Sequence, residues 1–147
     1  MKKIIILLLL SIVFLSAAIY AQTKPTRFYR QHKSYFVKEH LKQTEESLLQ
    51  ALQNKKVDMR SSAAQAIREL EEAFPTEPFS SLIEPLSDVV QNENEDTDTR
   101  ILAALALDDL HSDKGDNVIY KVAKNTNNQS VKDICTALAI ESFKLAQ

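Results

Sequence analysis

Apolar positions along this chain recur with a helical period. In Val57 to Leu70, VDMRSSAAQAIREL, the residues Ala63, Ala64, Ala66, Ile67 and Leu70 fall on one face. In Thr97 to Leu110, TDTRILAALALDDL, Ala103, Ala104, Ala106 and Leu107 sit beside Ile101, Leu105 and Leu110. Small residues on the contact face let a neighbouring helix come close. A fainter copy follows in Val131 to Phe143, VKDICTALAIESF.

The elements follow in order. Phe28, Tyr29, Tyr35, Phe36 and Val37, then Leu41, Leu48, Leu49 and Leu52, predict one long helix or two joined ones from about Arg27 to Gln53. After a polar turn at 54–56, Asp58 is placed to cap the next helix. That helix runs to about Ala73, where Phe74-Pro75 ends it, because a residue before proline avoids the helical region. A shorter helix spans about Ser80 to Gln91, with Pro85 in its first turn, where a missing N–H costs little. The acidic loop at 92–98 precedes a central helix from about Thr99 to Leu110. A turn at 111–115 holds the only glycine, Gly115, as a left-handed residue. Asp116 or Asn117 caps a short helix through Val118 and Val122, and Ser130 caps a last helix ending near Ala146.

The small-residue cores align as Ala64, Ala104 and Ala137, then Ala66, Ala106 and Ala139, then Ile67, Leu107 and Ile140, then Leu70, Leu110 and Phe143. The spacing falls in the range of solenoid repeats. A polar signature, Asp58-x-Arg60, returns as Asp98-x-Arg100 and weakens to Ser130-x-Lys132, one position out of step with that alignment.

These residues resemble the HEAT-repeat superfamily of α-solenoids. The resemblance covers about Glu45 to Phe143 and is carried by Asp58, Arg60, Ala63, Ala64, Ala66 and Leu70, with Asp98, Arg100, Ala103, Ala104, Ala106 and Leu110. Leu82-Ile83-Glu84-Pro85-Leu86 is similar to the second helix of such a unit. It implies an all-α fold, a short HEAT-like α-solenoid of about three antiparallel helix pairs. It also implies an inter-repeat polar ladder through Asp58, Arg60, Asp98 and Arg100. Arg100-Ile101-x-Ala103-Ala104-Leu105-Ala106-Leu107, Lys114-Gly115 and Val131-Lys132-x-x-Cys135 look like a group of small exported bacterial HEAT-like proteins, which implies an envelope location and no assigned activity.

The N-terminus reads as an export signal. Lys2 and Lys3 precede an apolar run from Ile4 to Leu15, and Ser16 to Ala21 is rich in small residues. Residues 1–21 are the expected cleaved signal peptide, 22–26 a disordered leader, and 27–147 the helical repeat domain. The apolar run is short for a membrane span, so no transmembrane segment is expected after cleavage, and the product belongs in the periplasm or outside a bacterial cell.

Composition narrows the chemistry. One glycine and four prolines in 147 residues suit helices joined by short turns. The formal net charge is −2; without Lys2 and Lys3, 16 basic residues face 20 acidic ones, a balance of −4. A mildly acidic domain is a poor generic nucleic-acid binder, since that affinity comes largely from cations on phosphate. One cysteine, Cys135, excludes an intramolecular disulfide, and its apolar setting reads as a buried, inert thiol.

No catalytic constellation emerges. His32, His40 and His111 lack the spacing of a zinc site. The 92–98 loop lacks the residue order and glycine of a calcium loop, and a chain with one glycine carries no glycine-rich phosphate loop. No cofactor or metal is expected. The most distinctive feature outside the repeats is the aromatic-basic stretch from Arg27 to His40, with Arg27, Tyr29, Arg30, Lys33, Tyr35 and Lys38 as a candidate interaction surface; the competing reading is a cap over the first repeat. The expected function is a non-enzymatic exported scaffold or adaptor for an envelope protein. The alternatives are a membrane- or wall-associated structural protein using the Arg27–His40 stretch, and then a metal-dependent enzyme.

Overall fold

The computed structural model describes residues 27–145, with side chains from 37 to 142. The expected signal peptide, leader and cleavage site lie outside the described residues. The described chain is all α-helical: α1 (Arg27–Leu52), α2 (Val57–Ala73), a 3-10 turn (Ser80–Leu82), α3 (Ile83–Gln91), α4 (Thr97–Asp109), α5 (Asp113–Asn125) and α6 (Gln129–Leu145). Two compact units divide at residues 40 and 41, within α1. The described part of the first unit is the beginning of α1. In the second, α2 packs against α4 and α4 against α6, while α3 contacts α4 and α5, and α5 contacts α4 and α6.

The core is built by the predicted stripes. Ala63, Ala64 and Ile67 of α2 and Ala103, Ala104, Ala106 and Leu107 of α4 are buried, together with Leu82, Leu86, Val89 and Val90. Leu52 is buried at the end of α1, with Leu48, Leu49 and Ala51 packed against the same core. Among the described residues, α4 touches α2, α3, α5 and α6.

Several boundaries differ from the sequence expectation. α2 begins at Val57 after Lys56, which makes no side-chain cap, so Asp58 sits in the first turn and is not the capping residue. α4 begins at Thr97 because the Asp96 side chain accepts from the N–H groups of Asp98 and Thr99. Ser112 caps α5 by accepting from the Gly115 N–H at 3.0 Å, in place of Asp116 or Asn117. Asn128, not Ser130, caps α6 through the Val131 N–H at 3.1 Å.

Gly115 therefore lies inside a helix, not in a turn. The left-handed residue is His111, with φ 45°. Glycine is required at 115 for a different reason. A Cβ there would lie 2.9 Å from Ser112 Oγ and 3.1 Å from Leu107 Cγ.

The last helix also takes another register. Aligned from helix starts, the fourth residues are Arg60, Arg100 and Lys132, and the seventh are Ala63, Ala103 and Cys135. The buried residues follow this alignment: Cys135 and Val131 are fully buried and Leu138 nearly so, whereas Ala137 is exposed and Ile140 is 50% exposed. Burial on α6 thus follows the alignment from helix starts, from which the alanine-based alignment is one residue out.

Candidate functional site

Two arginines and one acidic loop form the most elaborate polar arrangement among the described residues. Arg60 is the fourth residue of α2, one turn in, where a long side chain reaches back past the helix start. Its Nε and Nη2 donate to the two carboxylate oxygens of Glu95 at 2.6 and 2.7 Å, a bidentate pair. Its Nη1 donates to the carbonyl of Asn54, between α1 and α2, at 2.5 Å. Arg100 is the fourth residue of α4 and makes a different set of bonds from the equivalent position. Nε donates to the Val90 carbonyl at 2.9 Å, and Nη2 to Glu93 at 2.7 Å and to Thr126 Oγ1 at 3.1 Å. The Thr126 hydroxyl donates in turn to Glu93 at 2.8 Å.

Glu93 and Glu95 thus hold arginines of two different helices from one short loop. Glu93 also reaches the segment between α5 and α6 through Thr126. Burial differs sharply within the pairs. The Arg100 side chain is 1% exposed and its partner Glu93 45%, whereas Arg60 is 15% exposed and its partner Glu95 3%.

The charges respond accordingly. The hydrogen bond from Arg60, opposed by burial, holds the Glu95 carboxyl below the usual carboxylate range. Bonds from Arg100 and then Thr126 do the same for Glu93. The Glu95 contact raises the Arg60 guanidinium above its ordinary value.

The expected ladder residues are therefore placed as follows. Arg60 and Arg100 occupy equivalent positions and join neighbouring elements. Asp58 and Asp98 are exposed, and the carboxylates that meet the arginines belong to Glu95 and Glu93. A loop rich in Asn, Glu and Asp reads as solvated, and its spacing to distant arginines is invisible before the helices are assembled. The useful signal was the recurrence of arginine at the fourth helical position.

A second cross-link joins α2 to α4, where Arg68 Nε donates to Asp109 at 2.7 Å. Beside it, Asp108 is raised above the ordinary aspartate value by burial first, then by the charges of Asp109, Asp116 and Glu141, against a smaller opposing effect of His111. Glu84 and Lys114 pair between α3 and α5. Cys135 is buried, and burial pushes its thiol up to about 11. A thiol in that state is a poor nucleophile at neutral pH.

An open cleft of about 400 Å³ lies beside the Arg60–Glu95 pair, bordered by Asn54, Pro85, Asp88 and Asn92. It is wide and mixed in polarity, unlike the enclosed apolar pockets that hold small molecules. No group of three or more His, Cys, Asp or Glu side chains converges as a metal site among the described residues. His40, Lys38 and Glu39 are exposed on α1; the side chains of Arg27, Tyr29, Arg30, His32, Lys33 and Tyr35 lie outside the described residues. No described helix is long and apolar enough to cross a membrane.

No protein-family model, no curated protein and no solved structure matches this chain.

Proposed function

We propose that this chain is an exported, non-enzymatic scaffold that binds an envelope protein through its helical surface, built as a short HEAT-like solenoid. The observation that supports it best is the pair of arginine clamps at equivalent positions of α2 and α4. Arg60 ties α2, and Arg100 ties α4, to the one loop between α3 and α4. Such ties hold successive helices in fixed relation, which gives a binding face its shape before a partner arrives. Preorganisation of this kind lowers the ordering cost of association. The open, mixed clefts suit a protein partner better than a small substrate.

The test is crosslinking capture from envelope fractions with the whole chain as bait, its folding checked by circular dichroism. Repeated enrichment of one protein supports the scaffold. Loss of that protein on joint replacement of Arg27, Arg30, Lys33 and Lys38 by glutamate assigns the contact to α1, and retention moves it to another face. A folded bait that enriches nothing refutes the reading. Co-sedimentation with anionic vesicles then tests membrane association through the same basic stretch.

A further inference from the structure

The two halves of α1 carry their apolar residues on different lines. In the second half the packing line is plain. Leu52 is buried, Leu48 and Leu49 pack against the core, and Val37 and Leu41 are half-buried. The other side holds Lys42, Gln43, Glu46 and Gln50, all exposed. Residues seven apart lie nearly above one another on a helix, because 3.6 residues make one turn.

Counting back in sevens carries both lines into the first half. From Leu48 the packing line runs to Leu41, Ser34 and Arg27, and from Leu52 through Glu45 to Lys38. Arg30, three residues after Arg27 and four before Ser34, falls on the same side. From Gln50 the opposite line runs through Gln43 to Phe36 and Tyr29, and from Lys42 to Tyr35 and Phe28. The four aromatic register positions thus share one side of α1, with His32 among them, and three cations share the other. Towards the N-terminus the packing line loses its apolar residues beyond Val37. A cap over the first repeat needs its aromatics in that line, and the register sets cations there.

We propose that Arg27 to Lys38 is an interfacial helix that seats its aromatic line on an anionic lipid surface. Aromatics on one side and cations on the other is the order of helices that lie in the plane of a membrane surface. The boundary between headgroups and acyl chains suits Tyr29 and Tyr35, whose rings are apolar with one polar end. Charge decides between lipid and the other occupants. Residues 27–38 hold four cations, Arg27, Arg30, Lys33 and Lys38, and no carboxylate. Two such stretches repel each other, so a second copy is a poor cover for this line. An anionic bilayer offers an apolar boundary and negative charge together, and each cation near its surface strengthens binding about fivefold. The contact would hold the chain at a membrane by a segment outside the helical core, and it stands whether or not a protein partner binds elsewhere.

The chain contains no tryptophan, so Tyr35→Trp places a single fluorescent reporter on the aromatic line. With vesicles of phosphatidylcholine and phosphatidylglycerol in equal parts, its emission should move to shorter wavelength and be quenched by brominated acyl chains. Phosphatidylcholine alone should give much less of either. Phe28→Ser, Tyr29→Ser, Tyr35→Ser and Phe36→Ser together should lower co-sedimentation with the mixed vesicles at least tenfold, with the melting temperature unchanged, because the line lies outside the packing stripe. Residues 1–26 are the same in every variant, so their contribution cancels. Arg30→Glu with Lys33→Glu should also weaken binding to the mixed vesicles at least tenfold. An emission that ignores vesicles overturns the proposal. So does a lower melting temperature in the serine variant, which would return the aromatics to a cap. An emission already shifted without vesicles, in a protein that sediments as a dimer, overturns it in favour of a second copy. Loss of a captured envelope protein in the serine variant, without vesicle binding by the wild type, overturns it in favour of a protein. Failure of the capture experiment alone sinks the scaffold reading and leaves this one standing.

Discussion

Replacing Arg60 by methionine should cost more stability than replacing Arg100, although Arg100 is the more buried of the two. The reason lies in what each substitution leaves behind. Without Arg60, the Glu95 carboxylate remains in a site where its side chain is 3% exposed, with the Asp96 N–H at 3.1 Å as its remaining hydrogen-bond donor. A buried charge stripped of its partner costs about 3–5 kcal/mol. Without Arg100, Glu93 is 45% exposed, returns to water and keeps the Thr126 hydroxyl. The main loss is the donor to the Val90 carbonyl, and an orphaned buried acceptor costs about 1–3 kcal/mol. Methionine fills much of the arginine stem in both cases, which limits cavity effects. The difference of about 2 kcal/mol corresponds to about 6–10 °C in melting temperature for a domain of this size. Thermal and urea unfolding at pH 7 read it directly. Adding Glu95→Gln to Arg60→Met should recover part of the loss, because the stranded charge disappears. Adding Glu93→Gln to Arg100→Met should recover nothing. An Arg100 variant at least as unstable as the Arg60 variant, or no recovery through Glu95→Gln, would show that residual charge does not govern these sites.

Acid should weaken the fold through the same loop. Glu93 and Glu95 are depressed in the folded state, so their stabilisation is present above the ordinary carboxylate pKa and is lost as pH falls through their lower folded values. Asp108 is raised, so its sign is opposite: Asp108→Asn should increase the melting temperature slightly at pH 7 and leave it unchanged near pH 3, and a decrease at pH 7 would contradict the burial and like-charge argument. Cys135 should react with a thiol reagent at pH 8 only as fast as the protein unfolds, given its burial and a pKa of about 11; rapid labelling of the native protein would refute that. Gly115→Ala should destabilise by about 1–3 kcal/mol despite alanine's better helix propensity, because the new methyl meets Ser112 and Leu107; a calorimetric melt unchanged or higher would show that α5 yields without cost.

The helices were legible because their apolar positions repeat with a clear period and prolines and polar runs separate them. The contact faces of α2 and α4 followed from Ala63, Ala64, Ile67, Ala103, Ala104 and Leu107, where a small residue and a large one recur together. The face of α6 did not. Alanine is tolerated in water as well as in a core, so Ala137 and Ala139 pulled the alignment one residue off, while Val131 and Cys135 mark the buried side. Caps were misplaced because several Asp, Asn and Ser residues stand next to each helix start, and any of them can accept from a free N–H. The arginine positions were readable as a recurrence. Their acidic partners were not, because Glu93 and Glu95 meet helices and loops that only the assembled chain brings near.

The loop between α3 and α4 has a consequence for how such a chain can lengthen. Surface loops usually absorb insertions with little penalty. Here Glu93 and Glu95 reach Arg100 and Arg60, on separate helices, so the segment works as a ruler whose graduations are two carboxylates. A single added residue between them would disengage one clamp while leaving every helix intact. Copying or grafting a module from this protein would therefore succeed with seams drawn through helix surfaces or other connections, and would fail with a seam drawn through this short turn.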